Sequence, residues 1–152
     1  MRIGFIKMFL IVLLFFSGCA SLKVEERRAS AVEENRSAES TVLAKSAKSW
    51  DGNLLPNYPS ERPEISVLKI NIPAGATLPM HKHPVINAGY MLEGELMVET
   101  ESGAVMHLKA GDAIIEVVDT WHFGRNEGKV PVEIVVFYAG TASLPVTEYK
   151  NK

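Results

Sequence analysis

Apolar and polar positions divide the chain into three stretches of different character. Met8 to Phe16 is an unbroken apolar run. Ala20 to Lys48 is dominated by Ala, Ser, Glu, Arg and Lys and has no Gly, Pro or aromatic residue. Its apolar residues, among them Leu22, Val24, Val32, Val42 and Leu43, are too sparse to give a helix a core-facing stripe. From Trp50 onward the pattern changes again. Pro56, Pro59 and Pro63 mark an irregular entry segment, after which short apolar runs alternate with Gly, Pro, Asn and Asp. These runs predict strands over Ile65–Ile72, Leu78–His83, Asn87–Leu92, Glu95–Thr100, Val105–Leu108, Ala113–Val118, Trp121–Arg125 and Val132–Tyr138. Leu68, Ile70 and Ile72 fall on one face of the first, and Leu96 and Val98 on one face of the fourth. Val132 to Tyr138 is apolar except for Glu133, which predicts a strand buried on both faces. Many short strands with turn signals between them, and no helical period after Trp50, predict an all-β sandwich or barrel.

Length and composition narrow this to one folded domain. The chain has 152 residues, 47% of them hydrophobic, enough for a core of its own. The net charge of -2 and the lack of a basic block argue against a nucleic-acid partner. No Walker loop, G-x-G-x-x-G or G-x-S-x-G motif occurs.

Arg2 and Lys7 place positive charge ahead of the apolar run, which is far shorter than the roughly 20 residues a helix needs to cross a bilayer. This is the layout of an export signal over residues 1–18. The single cysteine, Cys19, follows Phe16, Ser17 and Gly18. The segment resembles a bacterial lipobox, departing from it in having Phe16 where Leu is usual. The resemblance implies cleavage before Cys19 and lipid attachment to its thiol, so that the protein contacts the membrane through a lipid anchor. Ala20, rather than an acidic residue, implies the outer membrane, with the domain facing the periplasm. Residues 19–49 then form a lipidated N-terminus and solvated tether, with a coil dimension of roughly 30 Å, and residues 50–152 form the domain.

The candidate chemistry lies in the histidines. His81 and His83 are two apart, so on a strand both imidazoles share a face, as half of a metal site requires. Exposed polar residues beside a turn would give the same spacing. His122 stands between Trp121 and Phe123, where it is either a third ligand or a hydrogen-bonded core residue. His107 has the opposite parity to Met106 and Leu108 and is expected to face solvent. Glu116 interrupts the apolar run Ala113 to Val118. A buried carboxylate needs a partner, and a metal ion would serve; solvent, Arg125 or Lys129 are the alternatives. A hairpin loop over residues 117–121 would set Glu116 opposite His122. Tyr90, Trp121 and Tyr138 are candidates for lining a pocket or for ordinary core packing.

Taken together, the spacings resemble the two motifs of the cupin superfamily. Gly75, His81, His83, Asn87 and Gly94 stand at the intervals of the first motif, G-x5-H-x-H-x3/4-E-x6-G. Gly111, Val117, Asp119, His122 and Asn126 stand at those of the second, G-x5-P-x-G-x2-H-x3-N. The resemblance covers about Ile65 to Tyr138 and implies a double-stranded β-helix, a jelly-roll barrel. It implies a divalent metal held by His81, His83 and His122, and the activities of related cupins include dioxygenases, sugar isomerases and decarboxylases. The departures bear on function. Asn87 replaces the motif's glutamate and brings no charge. Asp119 replaces a glycine, and an aspartate tolerates the backbone angles of a turn. Asn87, Glu116 or both are candidates to complete the ligand set, and Glu116 is alternatively a general base. Mixed nitrogen and oxygen ligation with open positions suits Fe, Mn, Ni or Zn. A small polar molecule is the expected ligand or substrate, turned over or simply bound. Exposed strand edges make a homodimer a further expectation.

Overall fold

The structure is a computed structural model, and it describes residues 37–150. Cys19, the export signal and the tether up to residue 36 lie outside the described residues. The chain separates into Met1–Thr41 and Val42–Lys152. The described residues of the second unit hold nine strands: β1 (Pro63–Ile72), β2 (His81–Lys82), β3 (Ile86–Glu93), β4 (Glu95–Thr100), β5 (Val105–Lys109), β6 (Ala113–Ile115), β7 (His122–Asn126), β8 (Val132–Thr141) and β9 (Glu148–Tyr149). Among the described residues no helix is long and apolar enough to cross a membrane.

The strands form two antiparallel sheets, one in the order β1-β8-β3-β6 and one in the order β5-β4-β7-β2-β9. The core is apolar and is drawn from both sheets. Ile72, Met91, Ile114, Val132, Ile134 and Val136 come from the first, and Leu96, Val98 and Leu108 from the second. The chain crosses between sheets at Gly94, which joins β3 to β4 with φ at +82°. A Cβ there would lie 2.7 Å from the Pro131 carbonyl oxygen and 2.9 Å from the Val132 Cα, so only glycine fits. Asp119 also takes a left-handed conformation, φ 51°, so it meets the backbone demand of the glycine it replaces.

Several predicted elements change in the structure. The strand expected over Leu78–His83 shortens to His81–Lys82, because Leu78 donates its N–H to Gly124 outside the regular ladder. The strand expected over Ala113–Val118 ends at Ile115. The hairpin meant to place Glu116 opposite His122 does not form. β6 pairs with β3, β7 pairs with β4 and β2, and the segment between β6 and β7 therefore crosses from one sheet to the other. β8 is not buried on both faces. Its even positions point inward, whereas Phe137 is 51% exposed on the outer face. On β1, Ile72 is buried, Ile70 half-buried and Leu68 exposed, so the inward face opens toward the start of the strand. The short β9, which no sequence pattern announced, pairs with β2.

Candidate metal centre

β2 and β7 pair with His81 directly opposite His122. His83, two residues beyond His81, shares its face and is likewise buried. The ring centroids are 5.1 Å apart for His81 and His83, 4.4 Å for His81 and His122, and 5.0 Å for His83 and His122. One ring nitrogen of each lies within 4.8 Å of the others, a spacing that suits a common ion. Thus the three histidines singled out by spacing form one cluster.

Each imidazole is oriented by a backbone carbonyl. Nδ1 of His81 lies 2.7 Å from Pro79 O, Nδ1 of His83 2.7 Å from Val146 O, and Nδ1 of His122 2.8 Å from Thr120 O. A carbonyl oxygen only accepts, so each Nδ1 carries the proton and each Nε2 keeps its lone pair. Burial holds all three imidazoles below their ordinary pKa, His83 at about 3. They are therefore neutral at pH 7, the form that ligates a cation.

Asn87 is buried beside the cluster. Its Nδ2 reaches the Val85 carbonyl at 3.4 Å, and its Oδ1 has no hydrogen-bond partner among the described residues. A buried acceptor left without a donor is costly. A metal ion, or a donor group on a bound molecule, would satisfy it. The triad and this orphaned oxygen together fit a divalent cation with open positions, although the donor set is neutral.

Glu116 lies just beyond β6, and its backbone N–H donates to Asn87 O at 3.1 Å. Glu116 is buried, with 9% exposed, and forms no ion pair with Arg125 or Lys129; its carboxylate accepts a hydrogen bond from Trp50 Nε1 at 3.2 Å. Burial raises the carboxyl pKa to about 7, and the Trp50 hydrogen bond partly opposes this. The cluster of mutually close ligand atoms comprises the imidazoles alone, and Glu116 stands on the wall of the same cavity.

That cavity offers about 160 Å³ of room. Ile72, Leu96, Ile114, Ile134 and Val136 give it apolar wall, and His81, His83, Asn87 and Glu116 supply polar groups. Tyr138 lines it, with its ring 5.4 Å from that of His83 and its hydroxyl pKa pushed up by burial to about 12. Tyr90 and Trp121 are not among its lining residues. Trp121 instead packs near the ammonium groups of Lys82 and Lys150, at 5.5 and 5.7 Å. His107 is exposed, as its parity predicts, 4.0 Å from Glu127. Sequence reasoning missed Trp50 and the C-terminal residues Val146, Thr147 and Tyr149. These meet the site only through contacts distant in sequence. Thr147 Oγ1, for example, lies 3.3 Å from His83 Nδ1.

The comparisons with known proteins agree with this geometry. The cupin domain model matches residues 68–138. Those residues are similar to a cupin domain, and the two antiparallel sheets have the all-β cupin fold. A conserved protein with a double-stranded β-helix domain from Klebsiella pneumoniae is similar to the chain at 26% identity and a TM-score of 0.50, covering 58% of this chain and 76% of its own. The DMSP lyase DddQ from Ruegeria pomeroyi shares the fold at 22% identity and a TM-score of 0.50, over 57% of this chain and 43% of the lyase. The chain thus spans less than half the length of that lyase. No curated protein matches the chain. Both Trp50 and the segment from Val146 to Tyr149 lie outside the matched cupin residues yet complete the site.

Proposed function

We propose that this cupin is a lipid-anchored protein of the bacterial cell envelope that uses a divalent metal to act on a small polar molecule. One observation carries the reading: three buried imidazoles, each with Nδ1 committed to a carbonyl, cluster together, and His81 and His83 line a cavity with the orphaned acceptor of Asn87. Fe, Mn, Ni or Zn suits such a donor set. When bound, the ion supplies a Lewis acid for a carbonyl or enol oxygen, or the redox centre of an oxygenase. The remaining work falls to the chain. The apolar walls exclude water, Asn87 Oδ1 accepts a hydrogen bond from the bound molecule or completes the ligand set, and Glu116 takes and returns a proton at its carboxylate. Dioxygenase, isomerase and decarboxylase chemistry all use these parts. The test is metal content by mass spectrometry of the purified protein beside His81→Ala, followed by O₂-uptake and carbonyl-substrate screens with the metal found. Metal near one per chain, lost in the variant, is expected. A parent that takes up none of the four metals on reloading would refute the reading.

Asn87 favours a second reading, a non-catalytic cupin that binds a small ligand or metal. With an amide in place of the motif's glutamate, the donor set holds the ion without a charge to help. Stoichiometric metal with no turnover of any oxygen or carbonyl substrate would favour this alternative.

The envelope location rests on the positive N-terminus, the apolar run and Cys19. A Cys19→Ser variant is expected to lose labelled palmitate and leave the membrane fraction. A homodimer belongs to the same proposal. Among the described residues, β1 pairs only with β8, so its other edge is available to a second copy.

A further inference from the structure

Residues 47–55 form an ordered strap on the edge of the barrel, ahead of the matched cupin residues. Lys48 bridges Leu54, Leu55 donates to Ala47 O at 3.0 Å, and Ser49 donates to Asn53 O at 2.9 Å. Gly52, with φ at +90°, closes the turn, and the Ser49 hydroxyl donates to Asp51 Oδ1 at 2.6 Å. The strap is tied to the barrel at Trp50, whose backbone N–H donates to Ile115 O at 2.9 Å. Ile115 is the last residue of β6, so this bond extends the sheet edge by one position and fixes where the indole begins. The indole N–H then meets Glu116 Oε2.

We infer that Trp50 is a positioning residue, its indole N–H holding the Glu116 carboxylate on the cavity wall and away from the imidazole triad. The inference rests on the reading of that triad as a metal centre. Three facts support it. The indole donates to a buried carboxylate that shares a cavity wall with His81 and Asn87. Tryptophan N–H donates only, so the contact requires an acceptor and fixes one carboxylate oxygen. The cluster of mutually close ligand atoms contains the three imidazoles without Glu116, although the carboxylate lines the same cavity. A carboxylate released beside a dication would be drawn to it. The indole bond therefore separates two roles for Glu116, ligand and proton carrier, and selects the second. The strap thereby becomes part of the site.

The experiment has two arms on the detergent-solubilised full chain. In the first, the metal-free protein carries ¹⁵N-labelled indoles at its two tryptophans. Glu116→Gln is expected to shift the Trp50 indole resonance while leaving that of Trp121 in place. In the second, Zn(II) affinity is measured by competition with a chelator for the parent, Trp50→Phe, Glu116→Gln and the double variant. Trp50→Phe keeps an aromatic ring and removes the donor together with the second ring of the indole, and the double variant separates the two losses. It is expected to tighten Zn(II) binding about tenfold, the scale on which partners of a ligand sphere act, and the gain should vanish in the double variant. A Trp50 indole resonance indifferent to Glu116→Gln overturns the inference, and so does a tightening that persists without Glu116 or never appears. A parent that binds no Zn(II) or other metal refutes the metal-centre reading instead, and the indole arm, which needs neither metal nor the Trp50→Phe variant, then decides whether Trp50 anchors Glu116.

Discussion

Replacing Asn126 with alanine is expected to destabilise the domain by about 4 kcal/mol. Asn126 ends β7, and it is fully buried. Its Nδ2 donates to Ile72 O at 2.9 Å and to Val130 O at 2.8 Å, while its Oδ1 accepts from Gly128 N–H at 2.9 Å. One side chain thus ties the end of β1, the end of β7 and the turn that leads into β8. Each lost hydrogen bond is worth about 1 kcal/mol net, and an orphaned buried carbonyl adds about 1 kcal/mol or more. Against a total stability of roughly 5–15 kcal/mol the loss is large. Urea unfolding followed by tryptophan fluorescence measures it. Asn126→Asp sharpens the test. It retains the acceptor for Gly128 but sets a carboxylate against two carbonyl oxygens, so it should cost at least as much as alanine near neutral pH. If alanine costs under about 1 kcal/mol, or if Asp behaves like Asn, the clamp assigned to this residue is wrong.

Three further outcomes are expected. In the metal-free protein, burial depresses the pKa of His81, His83 and His122, His83 to about 3 from 6.5, so the unfolded chain binds more protons below pH 6.5 and stability falls as the pH drops through that window. Glu116, raised from 4.5 to about 7, acts in the opposite sense: its contribution is present below pH 4.5 and lost as the pH rises through 7. Three imidazoles outweigh one carboxyl, and the urea midpoint should fall between pH 6.5 and 4.5; a rise would contradict the assignment. Asn87→Glu adds the charge that the donor set lacks, and chelator competition should show metal binding at least about tenfold tighter; unchanged affinity would place position 87 outside the ligand set. Gly94→Ala should cost more than about 2 kcal/mol, because its Cβ would meet backbone atoms at 2.7 and 2.9 Å. Gly103→Ala, with φ at +89° but nothing within 4 Å, should cost only about 1 kcal/mol, and equal losses in thermal unfolding would remove the steric argument.

The parts legible in the sequence are those set by local spacing. His81 and His83 share a face because strand side chains repeat every two residues, and β4 runs from Glu95 to Thr100 as its alternation predicts. Asp119 was readable as a turn residue for the same local reason. Glu116 shows where this ends. Its burial followed from apolar neighbours, but its partner did not, because a short loop suits a hairpin and a crossing between sheets equally well. Only the pairing of β6 with β3 decides that choice. Trp50 and Glu116 are 66 positions apart, and His83 and Val146 are 63 apart, so no periodicity relates them. Phe137 failed for another reason: an apolar run on an outer face reads like one buried twice.

The orienting carbonyl of His83 belongs to Val146, and β9 lies against His81, so the last stretch of the chain finishes the triad. This sets an order of assembly. A nascent chain that has emerged as far as Thr141 already contains both sheets except β9, but it lacks the acceptor that fixes the tautomer of His83. The pocket matures only once Val146 and β9 have joined the barrel. A chain clipped before Val146 would therefore retain most of its barrel while presenting two oriented imidazoles and one that is free to turn.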